Sequence, residues 1–244
     1  MPSSGNYLGA TRHPWPCLLF VLPLLTAYEF CVLQLGGDHP EMVRNGADNW
    51  VRVALARSGV NYPWLPPAVL ALAFAVWSHV RWNDRPADLV GVLTGMALES
   101  VAYALGLWAM SRALPQLLVR WGVTLAASGQ AGVGMATARL VSYLGAGIYE
   151  EALFRLLLYS GLVRLLRLVG LPLLPAAIVA ATASAALFSA AHHMGPYGQP
   201  YSNYVFLFRL AAGLYFAALY QFRGFGIAVG AHACYNVMIS VGTS

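Results

Sequence analysis

Residues 138–169 read ARLVSYLGAGIYEEALFRLLLYSGLVRLLRLV, and the character of this stretch decides the fold. Apolar side chains dominate it on every side, with Glu150, Glu151 and Arg155 as the exceptions near its middle. It closes on Arg164, Arg167 and the helix-ending Gly170-Leu171-Pro172. At ~1.5 Å of rise per residue, such a helix is long enough to cross a ~30 Å hydrocarbon core. Six further apolar runs surround it: Pro16–Leu35, Trp64–Val80, Leu89–Met110, Leu173–His192, Tyr204–Gln221 and Gly224–Val241. A bilayer core offers no water to bond backbone groups, so each run satisfies itself as a helix. The expected fold is all-α, a polytopic transmembrane helical bundle of about seven spans. Small residues four apart, Gly91/Gly95 and Gly226/Gly230, suit close helix approach.

Composition agrees. The chain has 244 residues, of which 59% are hydrophobic and 9% charged. Soluble domains carry about 25% charged residues. A soluble globular enzyme and a disordered chain are thereby excluded. All 14 basic residues are arginines, against 9 acidic ones. They stand singly or in pairs, with no basic stripe to track a phosphate backbone, so no nucleic acid is expected as a partner. Cys17, Cys31 and Cys234 sit in apolar stretches without metal-ligand spacing and read as small buried hydrophobes.

The remaining segments are polar or mixed. The run after Arg12 resembles a signal peptide but lacks a small-x-small cleavage site, and is expected to remain as a span. Within 36–63, Asp48 is a candidate cap for a short helix Asn49–Ser58. Such a helix, with Trp50, Val51, Ala54 and Leu55 on one side and Arg52 and Arg57 among the polar positions, suits the membrane interface. Residues 111–137 read as a surface or re-entrant segment. The chain divides at 137 into an N-terminal transmembrane region, with that interfacial helix, and a core at 138–241. Arginines in the loops at 81–88, 164–172 and 222–224 place these loops and the N-terminus in the cytoplasm, and the uncharged loop 193–203 outside. The expected location is the cytoplasmic membrane of a bacterium.

The chemistry lies in the late half. Ionisable side chains inside spans are costly and are functional candidates by default. Glu151 and Arg155, four apart, share a helix face and can pair. Glu150 lies ~100° away around an α-helix. Lacking a cation of its own, it is the carboxylate left to exchange a proton as a general base. Phe188 and His192 are four apart, as are His232 and Asn236. The latter two can aim two hydrogen bonds at one point, as an oxyanion site needs. Glu29, Glu99 and Arg209 receive no chemical role; Arg209 is placed to snorkel to the interface.

The order E-E-x-x-x-R (150–155), F-x-x-x-H (188–192), H-x-x-x-N (232–236) resembles the CAAX protease and bacteriocin-processing family, also called the Abi family, which includes the type II CAAX prenyl endopeptidases. The resemblance covers about 138–241. It implies a glutamate-dependent intramembrane protease. Glu150 would activate water, His192 would help hold it, and His232 and Asn236 would stabilise the oxyanion. Glu151 and Arg155 would position the others, Phe188 would pack, and His193 would stand by. No cofactor is favoured. Zinc is the alternative, with Glu150, His192 and His232 as its ligands. The expected partners are the lipid bilayer and a membrane-anchored or lipidated protein or peptide substrate. Two other functions compete: a proton-coupled transporter using the same groups as a relay, and a non-catalytic member acting in immunity or as a scaffold.

Overall fold

The computed structural model describes residues 6–122, 136–195 and 198–241, in which every regular element is a helix and none is a strand. The helices are α1 (Tyr7–Ala10), α2 (Pro14–Gly36), α3 (Gly46–Arg57), α4 (Leu65–Val80), α5 (Leu89–Arg120), α6 (Ala136–Gly145), α7 (Ser160–Leu168), α8 (Leu173–Ala191), α9 (Asn203–Arg223) and α10 (Phe225–Val241). Two π-helical stretches, Ala146–Glu150 and Ala152–Tyr159, join α6 to α7, so 136–168 is one continuous helix.

Four helices are long and apolar enough to cross a membrane: α2, α5, α8 and α9. Of the other three expected spans, α4 and α10 are apolar but shorter, and 136–168 carries the buried ion pair of Glu151 and Arg155. α5 runs well past the expected end at Met110. Residues 111–120 continue the helix despite Pro115, rather than forming a surface or re-entrant segment. Ser111 accepts there from the Tyr204 hydroxyl at 3.2 Å, and Arg112 lies over the Trp108 ring. The rest of that segment, 123–135, lies outside the described residues.

α10 is the centre of the bundle. Ile227, Ala228, Val229 and Ala231 are fully buried on it. One side packs with α2, α4 and the π-helical stretches through Val21, Tyr28, Phe74, Ile148 and Phe225. The other packs with α5 and α9 through Ala104, Leu107, Ala212 and Phe216. The chain enters α10 by a sharp reversal at Gly224, whose φ of 95° ends α9 in the left-handed conformation glycine adopts without strain. Gly226 and Gly230 face Met96 and Ser100 of α5, so this pair serves helix approach as expected.

Gly147 has the same job between the π-helical stretch and α10. A Cβ there would lie 2.9 Å from the Val229 carbonyl oxygen and 3.0 Å from the Ala233 nitrogen, both backbone atoms. Backbone cannot move aside as a side-chain tip can. Gly147→Ala is therefore expected to destabilise the protein by about 1–3 kcal/mol, read as a lower melting temperature in detergent.

α3 departs from the expected interfacial helix. It starts earlier, at Gly46, and its cap is Asn45, whose Oδ1 accepts from the Ala47 N–H at 2.8 Å. Asp48 is not a cap. It is 0% exposed and accepts from Arg44 and Arg52, each at 2.7 Å. Arg52 thus faces inward, while Trp50 and Val53 are exposed. The charged face can turn in because Glu29 on α2 meets the same two arginines at 3.1 Å each. Glu99 is likewise paired, bidentate with Arg223 at 2.6 and 2.7 Å. The three cysteines are free thiols, with Cys17 buried.

Candidate active site

Four elements converge at one end of α8. The π-helical stretches and the residue between them bring Glu150, Glu151 and Arg155; the C-terminus of α8 brings His192; α10 brings His232 and Asn236; the cap of α3 brings Asn45. π-bulges recur at functional sites because a wider turn redirects side chains that an α-helix would separate. Both glutamates here reach the same imidazole. Glu151 Oε1 is 2.8 Å from His232 Nδ1, and Glu150 Oε2 is 3.8 Å from His232 Nε2. The expected division, with one carboxylate on a structural face and the other alone on a reactive face, is corrected accordingly.

Glu151 is fully buried between two partners. Its Oε2 lies 3.2 Å from Arg155 Nε, the i,i+4 pair, and its Oε1 holds His232. Arg155 is also fully buried, its guanidinium over the Phe188 ring at 4.4 Å and near Phe216 at 5.4 Å. Its Nη2 donates to the Gly213 carbonyl at 3.3 Å. Phe216 stacks on the His232 ring at 4.5 Å and 18°. A carboxylate only accepts, so His232 donates from Nδ1 and turns Nε2 toward Glu150.

His192 follows the same logic. Its Nδ1 is 2.8 Å from the Phe188 carbonyl, which can only accept. Nε2 therefore offers its lone pair toward Glu150 Oε2, 3.7 Å away. Phe188 packs edge-on against this ring at 4.8 Å and against Phe154 at 5.3 Å. Separations of 3.7 and 3.8 Å exceed a direct hydrogen bond and are the kind a water molecule bridges. Glu150 and His232 are buried and His192 is half-buried at the rim, so the cluster opens past the end of α8.

Asn236 is half-buried, and among the described residues its amide has no hydrogen-bond partner. His193 turns away, bonded to the Gln199 carbonyl at 2.9 Å. Arg209 is half-buried and donates to Gln199 Oε1 at 2.7 Å. Among the described residues no group of three or more His, Cys, Asp or Glu side chains is close enough to hold a metal ion.

One site residue escaped the sequence. Asn45 Nδ2 donates to Glu150 Oε1 at 3.0 Å, across 105 positions of chain. Its local pattern, Asn45-Gly46-Ala47, signals a helix start and nothing more. Glu150, expected without a partner, has three neighbours: this amide and the two imidazoles.

Residues 132–238 match the family model described as type II CAAX prenyl endopeptidase Rce1-like. The match spans all three motifs on which the resemblance to the CAAX protease family rests. No curated protein and no solved structure matches the chain. With its apolar spans, the match makes this an integral membrane protein.

Proposed function

We propose that this chain, whose segment 132–238 is of the Rce1-like CAAX protease family, is an intramembrane endopeptidase. It hydrolyses a peptide bond in a membrane-associated protein or peptide, with water activated by Glu150. The family match favours a lipidated, CAAX-type tail as the substrate class. The seven apolar helices are all taken to cross the bilayer, the two shorter ones included.

The observation that supports this most directly is the convergence of two imidazole Nε2 atoms on Glu150 Oε2, at 3.7 and 3.8 Å. A water bound there gives one proton to Oε2 while the His192 lone pair holds its other hydrogen. The hydroxide oxygen attacks the scissile carbonyl carbon, and the carbonyl electron pair moves onto oxygen. Asn236 Nδ2–H donates to that oxyanion, joined by His232 Nε2–H while that ring holds the proton passed to it from Glu150 Oε2 and returned before the next step. The C–N bond then breaks, and the leaving amine takes the proton from Glu150. Glu151 and Arg155 touch no substrate in this scheme; they hold His232 in place.

Zinc at Glu150, His192 and His232 is the alternative way to activate the same water, although these three side chains would have to draw closer together to hold it. One preparation tests both points. Purified protein in detergent is incubated with tagged peptides, lipidated and plain, before and after thorough chelation. Cleavage that survives chelation, with well under one equivalent of zinc by elemental analysis, is the expected result. Stoichiometric zinc, with activity lost on removal and restored by zinc, would move the three residues to ligand roles. Cleavage of no peptide would reject the endopeptidase.

A further inference from the structure

Asn45 does more than a helix cap requires. Capping needs a side-chain acceptor, and Ser, Thr or Asp supply one as well as Asn. Here the acceptor is committed: Asn45 Oδ1 takes the Ala47 N–H at 2.8 Å. That bond fixes which end of the amide is oxygen, so the NH₂ end faces Glu150. It donates to Oε1 at 3.0 Å. The two oxygens of Glu150 are thereby made unequal. Oε1 is occupied, and Oε2 alone faces the imidazoles of His192 and His232.

The amide is held from behind. The Asn45 backbone N–H donates to the Tyr28 hydroxyl at 3.0 Å, and that hydroxyl donates to Asp48 Oδ2 at 2.9 Å. Asp48 and Glu29 share Arg44 and Arg52, two carboxylates against two guanidiniums. Buried charges persist when matched in this way, and removing one member leaves another uncompensated. The same cluster touches the catalytic helix at a second point. Glu29 Oε1 accepts from the Tyr149 hydroxyl at 2.7 Å, one residue before Glu150.

Packing shows the same close fit. Gly145 lies about one turn before Glu150, directly against α2. A Cβ there would run into the Tyr28 ring and come within 3.0 Å of the Asn45 Cβ. The absence of a side chain lets Tyr28 and Asn45 sit flush on the helix that bears the glutamates.

We infer that Asn45 is a positioning residue for Glu150, pinning Oε1 so that Oε2 alone is presented to water, and that the Glu29–Arg44–Asp48–Arg52 cluster holds Asn45 in register. This rests on the proposed hydrolase chemistry for its kinetic consequence and on the hydrogen-bond geometry for its structural one. It also gives the segment before residue 137, in which the sequence shows no catalytic motif, a direct part in the site.

Two variants test it, both keeping a capping oxygen. Asn45→Ser removes the donor and shortens the side chain. Asn45→Asp keeps the shape, removes the donor and sets a second carboxylate against the first. Both are expected to lower the melting temperature by several degrees, Asn45→Asp the more, while staying folded at the assay temperature. Each should lose about 10–100-fold in kcat on a farnesylated, dye-quenched peptide in detergent, with KM unchanged, since a hydrogen bond to a charged group is lost. Wild-type kcat in either variant overturns the inference. So does activity lost only in proportion to unfolded protein, because that is the signature of a cap alone.

A second measurement needs no substrate. The infrared difference between wild type and Glu150→Gln isolates the Glu150 carboxylate band. Asn45→Ser should displace that band, and an unmoved band overturns the inference. The two layers fail separately. A fully active Glu150→Gln rejects the hydrolase chemistry and leaves the infrared test of pinning standing. An inactive Glu150→Gln beside fully active Asn45 variants rejects the positioning role alone.

Discussion

Glu150→Gln is expected to cut the rate of peptide cleavage by about 10²–10⁴-fold, the usual contribution of a general base. The substitution preserves shape, and Gln can still accept from the Asn45 amide through its own carbonyl oxygen. What it loses is the capacity to take a proton at the atom that faces His192 and His232, 3.7 and 3.8 Å away. Membrane insertion and melting temperature should stay close to wild type, because among the described residues no guanidinium within hydrogen-bonding or ion-pairing distance depends on Glu150. The check is initial rate and thermal melting on one detergent preparation. More than half the wild-type rate would remove Glu150 from the base role.

Arg155→Ala should have the opposite profile, with its larger effect on stability. Arg155 and Glu151 are both 0% exposed and pair at 3.2 Å. Truncating one member of a buried pair costs about 3–5 kcal/mol, mostly through the charge left behind. The Gly213 carbonyl also loses its donor, and the Phe188 and Phe216 rings lose the guanidinium packed against them. The damage should spread to chemistry, since Glu151 is what orients His232 at 2.8 Å. Melting temperature and detergent-solubilised yield, side by side with Glu150→Gln, decide the matter. If Arg155→Ala is the milder of the two, the ion pair does not hold this site together.

Much of this was legible from residues alone. The helices follow from apolar runs bounded by Gly, Pro and Arg, because that pattern depends only on local composition. The grouping of Glu151 with Arg155 follows from their spacing, which closes a pair in the π-helical stretch as it would in an α-helix. The facing of Glu150 does not follow, since ~100° per residue is an α-helical figure and the backbone there is π-helical. Asp48 was misread because an acidic residue ahead of an amphipathic run has the look of a cap. Its burial depends on Glu29, Arg44 and Tyr28, partners brought in by α2 and by the turn before α3. Asn45 was invisible for the same reason: its partner is 105 positions away. The extent of α5 was missed because Arg112, Pro115 and Arg120 look like the end of a span, whereas the helix runs on through them.

The central place of α10 bears on how the molecule is made. This helix is the last of those described, yet both main cores are built around it, and His232 and Asn236 ride on it. During synthesis the earlier helices therefore enter the membrane with a gap where their common neighbour belongs. Until α10 fills that gap, Glu151 lacks its His232 partner, and Glu150 has only Asn45 and His192 beside it. The cluster is thus complete only once α10 is in place, and a chain lacking α10 has neither His232 nor Asn236.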